Sequence, residues 1–588
     1  MVPGLAGPSW HPPYSLGLHP GPHLVIALAA AALVSGALGL AAGLAALRRG
    51  WAPDARRMLL AGCLAAAVLA FLPPSGSADH LNYAAYGRIA ALGLDPYVTT
   101  PAALPGDPVT DAVEEWRDTP SVYGPIVTAV QALASLLGGD SVRLTVFGVQ
   151  LVNAAAFIAV ALLLHRFAAP ADRSRAALLW AVNPLMIYHL AAGAHVDTLA
   201  VACVIAALVV GGTPGWATGT GPCLAGAGAF LGLAVAVKVN AGLVALGPAW
   251  ALRPWPTRAE RSSAGSADGG ERLGGPVAAA GSDGGRIRVD EPVDGSAEPE
   301  RSVGGSAETG EPGGGLAGAG RPAGGRIGLD ASGEPPGPLA GGATEIGAQA
   351  VAGSAGGWPG ASRGWFGAGA PGRGLLVVAG SALVVAGVAY VLAGPYALDR
   401  VREASRMVSL GTPWSLVKGW LQALFGPGAY RSWIQAGSLL LIVLLVWALA
   451  RALREPYRLG ERGAAAPGAA VVVVAAWLVA TPYALPWYDG LLFALLALVP
   501  ATALDGFAVA RLAVLSLGYL PARQAGRPAD LDWLVTGVRA SLVPWILLGL
   551  TAVLLAWAWR AGGRARTPRA SAAPRPSAPS PGSPPRNR

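Results

Sequence analysis

Charge is scarce in this chain. Asp, Glu, Lys and Arg make up only 13% of 588 residues, against 53% hydrophobic residues and a mean hydropathy of +0.49. That balance excludes an ordinary water-soluble globular protein and predicts a polytopic membrane protein. Cysteine is scarcer still: Cys63, Cys203 and Cys223 are the only three, and all lie in apolar segments. They lack metal-ligand spacing, so neither a disulfide framework nor a zinc site is expected. No Walker A loop is present, and no GxGxxG opens a helix after a strand. Neither ATP nor a nucleotide sugar therefore has an obvious site, and no cofactor is expected. Residues 1–23 hold no Lys or Arg and are rich in Pro and Gly. They lack the charged n-region of a cleavable signal peptide, so the first apolar run is expected to remain as a membrane helix.

The net charge of +9 does not point to nucleic acid, because the arginines stand in short clusters between apolar runs and in the C-terminal tail. Topology signals are distributed in this way, and no nucleic-acid partner is expected. A helix needs roughly 20 apolar residues to cross the bilayer, fewer where its end meets a polar cavity. Spans are expected near 24–47, 57–73, 144–165, 175–191, 197–212, a pair within 222–251, 374–392, 434–450, 468–484, 488–503, 507–520 and 541–559. That makes about thirteen, with the run from Ile126 to Leu137 left as an interfacial helix. Arg48, Arg49, Arg56 and Arg57 fill one loop, Arg166, Arg173 and Arg175 another, and Arg451, Arg454, Arg458 and Arg462 a third. Thirteen spans with the N-terminus outside place these loops and the basic tail in the cytoplasm of a plasma-membrane protein. Residues 74–125, 191–196, 394–432 and 481–487 then lie on the outer face.

The expected organisation is an outer tail over 1–23, an N-terminal membrane region over 24–252 with its long outer loop at 74–125, and a C-terminal membrane region over 374–560. Between the membrane regions, 253–373 is rich in Gly, Ala, Ser and Pro. It cannot bury enough apolar surface to offset its ordering entropy, and a disordered cytoplasmic insertion is expected there. A disordered basic tail over 561–588 is expected on the same grounds.

Polar residues gather at the mouths of these spans. "SADHLNYAAYGRIAALGLDPY" emerges after the second span. If Asp79 begins a helix, Tyr83 and Tyr86 share its face while Arg88 points away, leaving the acid without a local partner. Asp79 then either caps the helix or acts as a base toward a hydroxyl, and the tyrosines either form an aromatic belt or a sugar platform. His80, Asp95, Tyr97 and Tyr123 extend this acid-and-aromatic loop. His195 and Asp197 stand at another outer mouth, as a helix start or as groups that orient sugar hydroxyls or a phosphate. Lys238 interrupts an apolar stretch of roughly 30 residues, enough for two short helices meeting beside it. It either snorkels to the interface or serves a function. Tyr483, Trp487 and Tyr488 line a groove or form a girdle. Arg400, Arg402, Arg406 and Lys418 are outer cations suited to a lipid phosphate, with no means of choosing among them.

"DHLNYAAYGRIAALGLDPY" followed by "WRDTPSVYGP" resembles the first outer loop of the actinobacterial polyprenol-phosphomannose-dependent α-1,6-mannosyltransferases, membrane glycosyltransferases of the GT-C type. "WAVNPLMIYHLAAGAHVDTLA", "LGLAVAVKVNAGLVAL" and "TPYALPWYDGLLFALLA" resemble three further family segments in the expected order. The resemblance covers roughly 70–250 and 374–503. Two positions depart from it. Val196 replaces the Asn of His-Asn-Asp, and Asp489-Gly490 follow Pro-Trp-Tyr where apolar or aromatic residues are the pattern. The resemblance implies an all-α GT-C-like bundle that transfers a hexose, mannose above all, from a polyprenyl-phosphate sugar to a cell-envelope glycan or glycolipid on the outer face. It implies inversion, with Asp79 as catalytic base and His80, Tyr83, Asp95, Tyr97, Tyr123, His195, Asp197, Lys238, Arg400, Tyr483, Trp487 and Tyr488 as substrate-binding residues. A different class, a lipid-linked oligosaccharide flippase or secondary transporter, shares many of these features. It would ordinarily show hydropathy repeats between its halves, and none is seen.

Overall fold

A computed structural model describes residues 5, 7–212, 221–252, 371–460 and 465–564. The expected disordered insertion over 253–373 and the tail over 561–588 fall almost wholly outside these residues. The described residues lie in one compact unit.

Every regular element among the described residues is helical. The first half holds α1 (Pro22–Arg48), α2 (Ala55–Leu69), α3 (Asp79–Ala91), α4 (Pro125–Gly138), α5 (Val142–Phe167) and α6 (Arg173–Leu179). It continues with α7 (Pro184–Ala192), α8 (Asp197–Gly212), α9 (Gly221–Val237) and α10 (Leu246–Leu252). The second half holds α11 (Pro371–Ala393), α12 (Tyr396–Ala404), α13 (Pro413–Phe425), α14 (Arg431–Ala452), α15 (Ala465–Ala480), α16 (Asp489–Leu496), α17 (Leu504–Gly518) and α18 (Val543–Arg564). Local chemistry sets several starts. Asp54 caps α2 by accepting from the amides of Arg56 and Arg57, and Pro125 occupies the first turn of α4, where its missing N–H costs nothing.

The apolar segments expected to cross the membrane each overlap a helix, and α4 occupies the place of the expected interfacial helix. Among the described residues, five helices are long and apolar enough to cross by themselves, or six if α7 and α8, bent by 114°, count as one broken span. The others are shorter: α2 has 15 residues, α15 has 16 and α16 only 8. Hydropathy reads apolar content, whereas crossing length depends on unbroken backbone. Prolines, glycines and polar residues break these helices where the site lies, and thirteen crossings remain an expectation. The boundary expected at 560 moves slightly, since α18 continues to Arg564.

Large apolar faces are exposed, and the mostly apolar interior also holds a few buried charged pairs. On α11, Leu376, Leu383, Val391 and Leu392 are exposed, and on α14 so are Leu439, Leu440 and Val443. Contiguous apolar faces of this extent mark a lipid-contacting surface. In the interior, Arg175 of α6 makes a two-pronged bond to Asp505 of α17 at 3.1 and 2.7 Å and donates to the carbonyls of Leu496 and Val499. The sequence presents Arg175 as a topology signal, yet it is buried and joins the two halves of the chain. Arg511 of α17 pairs with Asp489 at the start of α16 and donates to the Leu478 carbonyl at 2.7 Å. This accounts for the first departure after Pro-Trp-Tyr: Asp489 is fully buried and serves the arginine. Gly490 meets Leu190, whose side chain lies 2.8 Å from where a Cβ would stand.

Removing one member of a buried pair strands the other charge, which costs about 3–5 kcal/mol, whereas replacing both with apolar groups is often tolerated. Asp489→Leu should therefore sharply lower the thermal stability of the purified protein, and Asp489→Leu with Arg511→Met should recover much of the loss. Melting in detergent followed by fluorescence-detected size exclusion measures both.

Candidate active site

The site forms around two interruptions of helix. The first lies between α7 and α8, where Ala194 takes a positive φ of 54° and the chain turns sharply before Asp197 opens α8. His195 is folded under this turn, its Nδ1 2.6 Å from the His189 carbonyl. The second is at Lys238, whose extended backbone ends α9 and leads into a 3-10 turn over Val239–Ala245. Lys238 then pairs with Asp197 and places its ammonium 3.8 Å from the centre of the Tyr488 ring. A cation held over an aromatic face gains electrostatic attraction without being fully desolvated, since 18% of the lysine side chain remains accessible.

The outer loop is tied to the second break by backbone. The Gly124 amide donates to the Val237 carbonyl at 3.2 Å, and a Cβ on Gly124 would lie 2.1 Å from the Ala236 carbonyl oxygen. Only glycine permits that approach, so Tyr-Gly-Pro is needed at 123–125 for packing as well as for its tyrosine. Tyr123 meets Tyr83 edge to face, with ring centres 5.1 Å apart. Tyr83 is buried one turn after Asp79, on the helix face expected from their spacing.

Asp79 is the first residue of α3. Its amide donates to the Ser77 hydroxyl at 3.0 Å, and its Oδ2 lies 3.6 Å from His195 Nε2. Arg88 turns away to bond Asp107 at 2.7 Å and Asp140 at 2.6 Å, so the acid has no guanidinium beside it. Burial pushes the Asp79 carboxyl up to about 6, the Ser77 contact opposes this, Asp197 adds to it, and Lys238 works against it. About a fifth of the Asp79 side chain stays accessible. The second oxygen of Asp197 has no hydrogen-bond partner among the described residues, an open acceptor in a buried place.

The Pro486–Tyr488 turn supplies the aromatic floor. Trp487 stacks on His195 with ring centres 3.7 Å apart, and Tyr483 lies 6.4 Å from Tyr488. Asp79, Tyr83, Tyr123, His195, Asp197, Lys238, Tyr483, Trp487 and Tyr488 are thus brought together from segments hundreds of residues apart.

Other expected site residues have different partners. Asp95 accepts from the Tyr97 amide at 2.8 Å and makes a turn, while the Tyr97 hydroxyl bonds Thr128 of α4 at 2.9 Å. Gly-Leu-Asp-Pro-Tyr is therefore a clasp between the loop and α4. Arg400 donates to the Tyr97 carbonyl at 2.9 Å and to Glu403 at 2.7 Å, and Arg402 pairs with Asp399. These pairings engage Arg400 apart from the residues gathered at Lys238. The cation among the gathered residues is Lys238. His80 is buried, and desolvation lowers its pKa to about 3, leaving it neutral beside the acid.

Two participants went unnoticed in the sequence. Glu115 adds negative potential at Asp79 and accepts from the Gln524 amide. Tyr519 stands edge-on to Trp487 with ring centres 5.2 Å apart, and Arg539 covers its face at 5.1 Å. Glu115 lay within a loop already rich in acids, whereas Tyr519 ends an apolar helix and carried no signal. No group of three or more His, Cys, Asp or Glu among the described residues is arranged to hold a metal ion.

A carboxylate that can exchange a proton near neutrality, a lysine, and rings around a partly accessible space suit the binding of a polyhydroxylated molecule with an anionic group. Residues 8–253 match the family model described as alpha-(1→6)-mannopyranosyltransferase, N-terminal domain. Among curated relatives, alpha-(1→6)-mannopyranosyltransferase A of Corynebacterium glutamicum is 27% identical over 30% of this chain and 34% of its own length. A probable alpha-(1→6)-mannopyranosyltransferase of Mycolicibacterium smegmatis is 36% identical over 24% of this chain and 26% of its own. Alpha-(1→6)-mannopyranosyltransferase A of Mycobacterium tuberculosis is 30% identical over 29% and 32%. These alignments span about a third of the relatives' length or less. No solved structure matches the chain. The N-terminal region, which contains Asp79, His195, Asp197 and Lys238, is thus similar to the N-terminal domain of the alpha-(1→6)-mannopyranosyltransferases.

Proposed function

We propose that the protein is an inverting mannosyltransferase of the plasma membrane. It takes mannose from a polyprenyl-phosphate donor and forms an α-1,6 bond on a cell-envelope glycan or glycolipid at the outer face. The observation that carries this reading is the meeting of Asp79, His195, Asp197 and Lys238 over the Tyr483–Tyr488 aromatics. The family match and the named mannosyltransferase relatives support the sugar and the reaction class. The multi-pass topology follows the distribution of arginines, with loop 74–125 outside and the 253–373 insertion and basic tail in the cytoplasm.

In this reading Asp79, as carboxylate, removes the proton from the acceptor hydroxyl while that oxygen attacks the anomeric carbon. The bond from that carbon to the phosphate oxygen breaks, and its electron pair leaves on the phosphate. Lys238 is the nearby cation suited to the growing negative charge. A single displacement turns a β-linked donor into an α-linked product. One base suffices, because a phosphate leaves without a general acid, unlike the two-carboxylate hydrolysis of glycosides. Asp197, with its open oxygen, and the rings of Tyr83, Tyr123 and Tyr488 suit the hydroxyls and apolar faces of a sugar.

Asp79→Asn keeps the size of the side chain and removes its basicity. Mannosyl transfer from polyprenyl-phosphate mannose in membranes should fall about 10² to 10⁴-fold at unchanged protein level, and near wild-type turnover would contradict the role given to Asp79.

The pH dependence has a definite sign. Asp79 works only when ionised, and burial raises its pKa to about 6. Activity should therefore be full above that pH and fall about tenfold per unit below it, as one proton is taken up. Initial rates between pH 4.5 and 8 check this, and an acid limb nearer the ordinary carboxylate range would contradict it.

A further inference from the structure

His195 raises a question of proton bookkeeping. Its Nδ1 lies 2.6 Å from the His189 carbonyl, and a carbonyl only accepts, so Nδ1 carries a hydrogen. In the neutral ring Nε2 then bears a lone pair. That lone pair faces a carboxylate oxygen of Asp79 at 3.6 Å, too far for a hydrogen bond, and Nε2 has no hydrogen-bond partner among the described residues. Two acceptors thus face each other across a gap that one proton would close. The ring is held in place by Trp487 at 3.7 Å, and His189 behind it is fixed by Ser516 at 2.7 Å, so His195 cannot easily turn aside.

We propose that His195 is a positioning residue of the transfer reaction, whose Nε2 accepts a hydrogen bond from Asp79 once Asp79 has taken the proton of the acceptor hydroxyl. The inference rests on the role of Asp79 as base. In the balanced step, the acceptor O–H bond breaks and its oxygen bonds to the anomeric carbon. The carbon–phosphate-oxygen bond breaks toward the phosphate, and the proton comes to rest on Asp79 with Nε2 as its hydrogen-bond acceptor. His195 stabilises the protonated acid and so makes Asp79 a stronger base. The charged and titratable groups around the pair are Asp197 and Lys238 on the α8 and α9 side and Glu115 from the outer loop. His80, Tyr83 and Tyr123 lie toward α3 and α4, His189 lies behind, and Tyr483, Tyr488 and Tyr519 come from the second half of the chain. Lys238 is already paired to Asp197, so Nε2 is the group facing Asp79 that suits the added proton.

The test is His195→Asn, whose amide N–H can replace Nδ1–H toward the His189 carbonyl while nothing replaces Nε2. His195→Phe, which keeps the stacking on Trp487, is the companion should the first fail to fold. Purified full-length protein is assayed with polyprenyl-phosphate mannose across pH, beside Asp79→Asn. The expected result is a fall in kcat of about tenfold or more at nearly unchanged acceptor KM, with the acid limb displaced to lower pH because protonated Asp79 has lost its acceptor. An unmoved acid limb overturns the proposal. So does an upward displacement, which would mean that His195 carries a positive charge and favours ionised Asp79. If Asp79→Asn retains turnover, the assignment of the base itself fails. If that variant is inactive while the His195 variants keep the normal profile, only the inference about His195 fails.

Discussion

The site depends on the break of helix at Lys238. An apolar helix carrying a lysine must either expose the charge to lipid or end and turn it inward toward a partner, because an unpaired ammonium in hydrocarbon is costly. Here α9 ends, and the break serves three segments at once. The freed Val237 carbonyl takes the amide of Gly124 and so fixes Tyr123; the ammonium pairs with Asp197 at the start of α8; and the same ammonium lies over Tyr488. The break thus adds a second junction to the one at His195, which faces Asp79 of the loop and stacks on Trp487 of the turn.

Two kinds of buried charge follow different logic. Arg175 with Asp505 joins the halves of the chain and Arg511 with Asp489 ties α17 to α16; the remaining donors go to backbone carbonyls, while one Asp489 oxygen stays buried and unpartnered. The Asp79, Asp197 and Lys238 group is left incomplete. Asp197 has an unused oxygen, Asp79 faces a lone pair, and Lys238 keeps some accessibility. What sets this second group apart is the accessible space beside its unused acceptors, which gives it binding capacity for a substrate.

What could be read in the sequence follows the same division. Asp79, Asp197 and Lys238 stood out because a charge in or beside an apolar run is conspicuous, and the spacing of Asp79, Tyr83 and Arg88 correctly separated the acid from the arginine. The pairings of Arg175 and Asp489 could not be read because the partner of each lies far along the chain or on another helix. Tyr519 was invisible because a tyrosine at the end of an apolar helix looks like any interfacial aromatic. Arg400 looked available because outer-face cations are unusual, yet it bonds Glu403 one turn on and a backbone carbonyl that no side-chain pattern reveals. Helix content was legible throughout, but the lengths of unbroken helix were not, since the breaks at Ala194 and Lys238 follow from tertiary partners.

The central claim is that these residues perform one displacement at an anomeric carbon. Purified protein in detergent, given β-linked polyprenyl-phosphate mannose and a mannoside acceptor, allows the product's anomeric configuration and linkage to be read by NMR, with no gradient or sidedness to confuse transfer with transport. The account predicts an α-1,6-linked product formed as the lipid phosphate is released. A β-linked product would contradict the single displacement, and the absence of any product would point to a carrier.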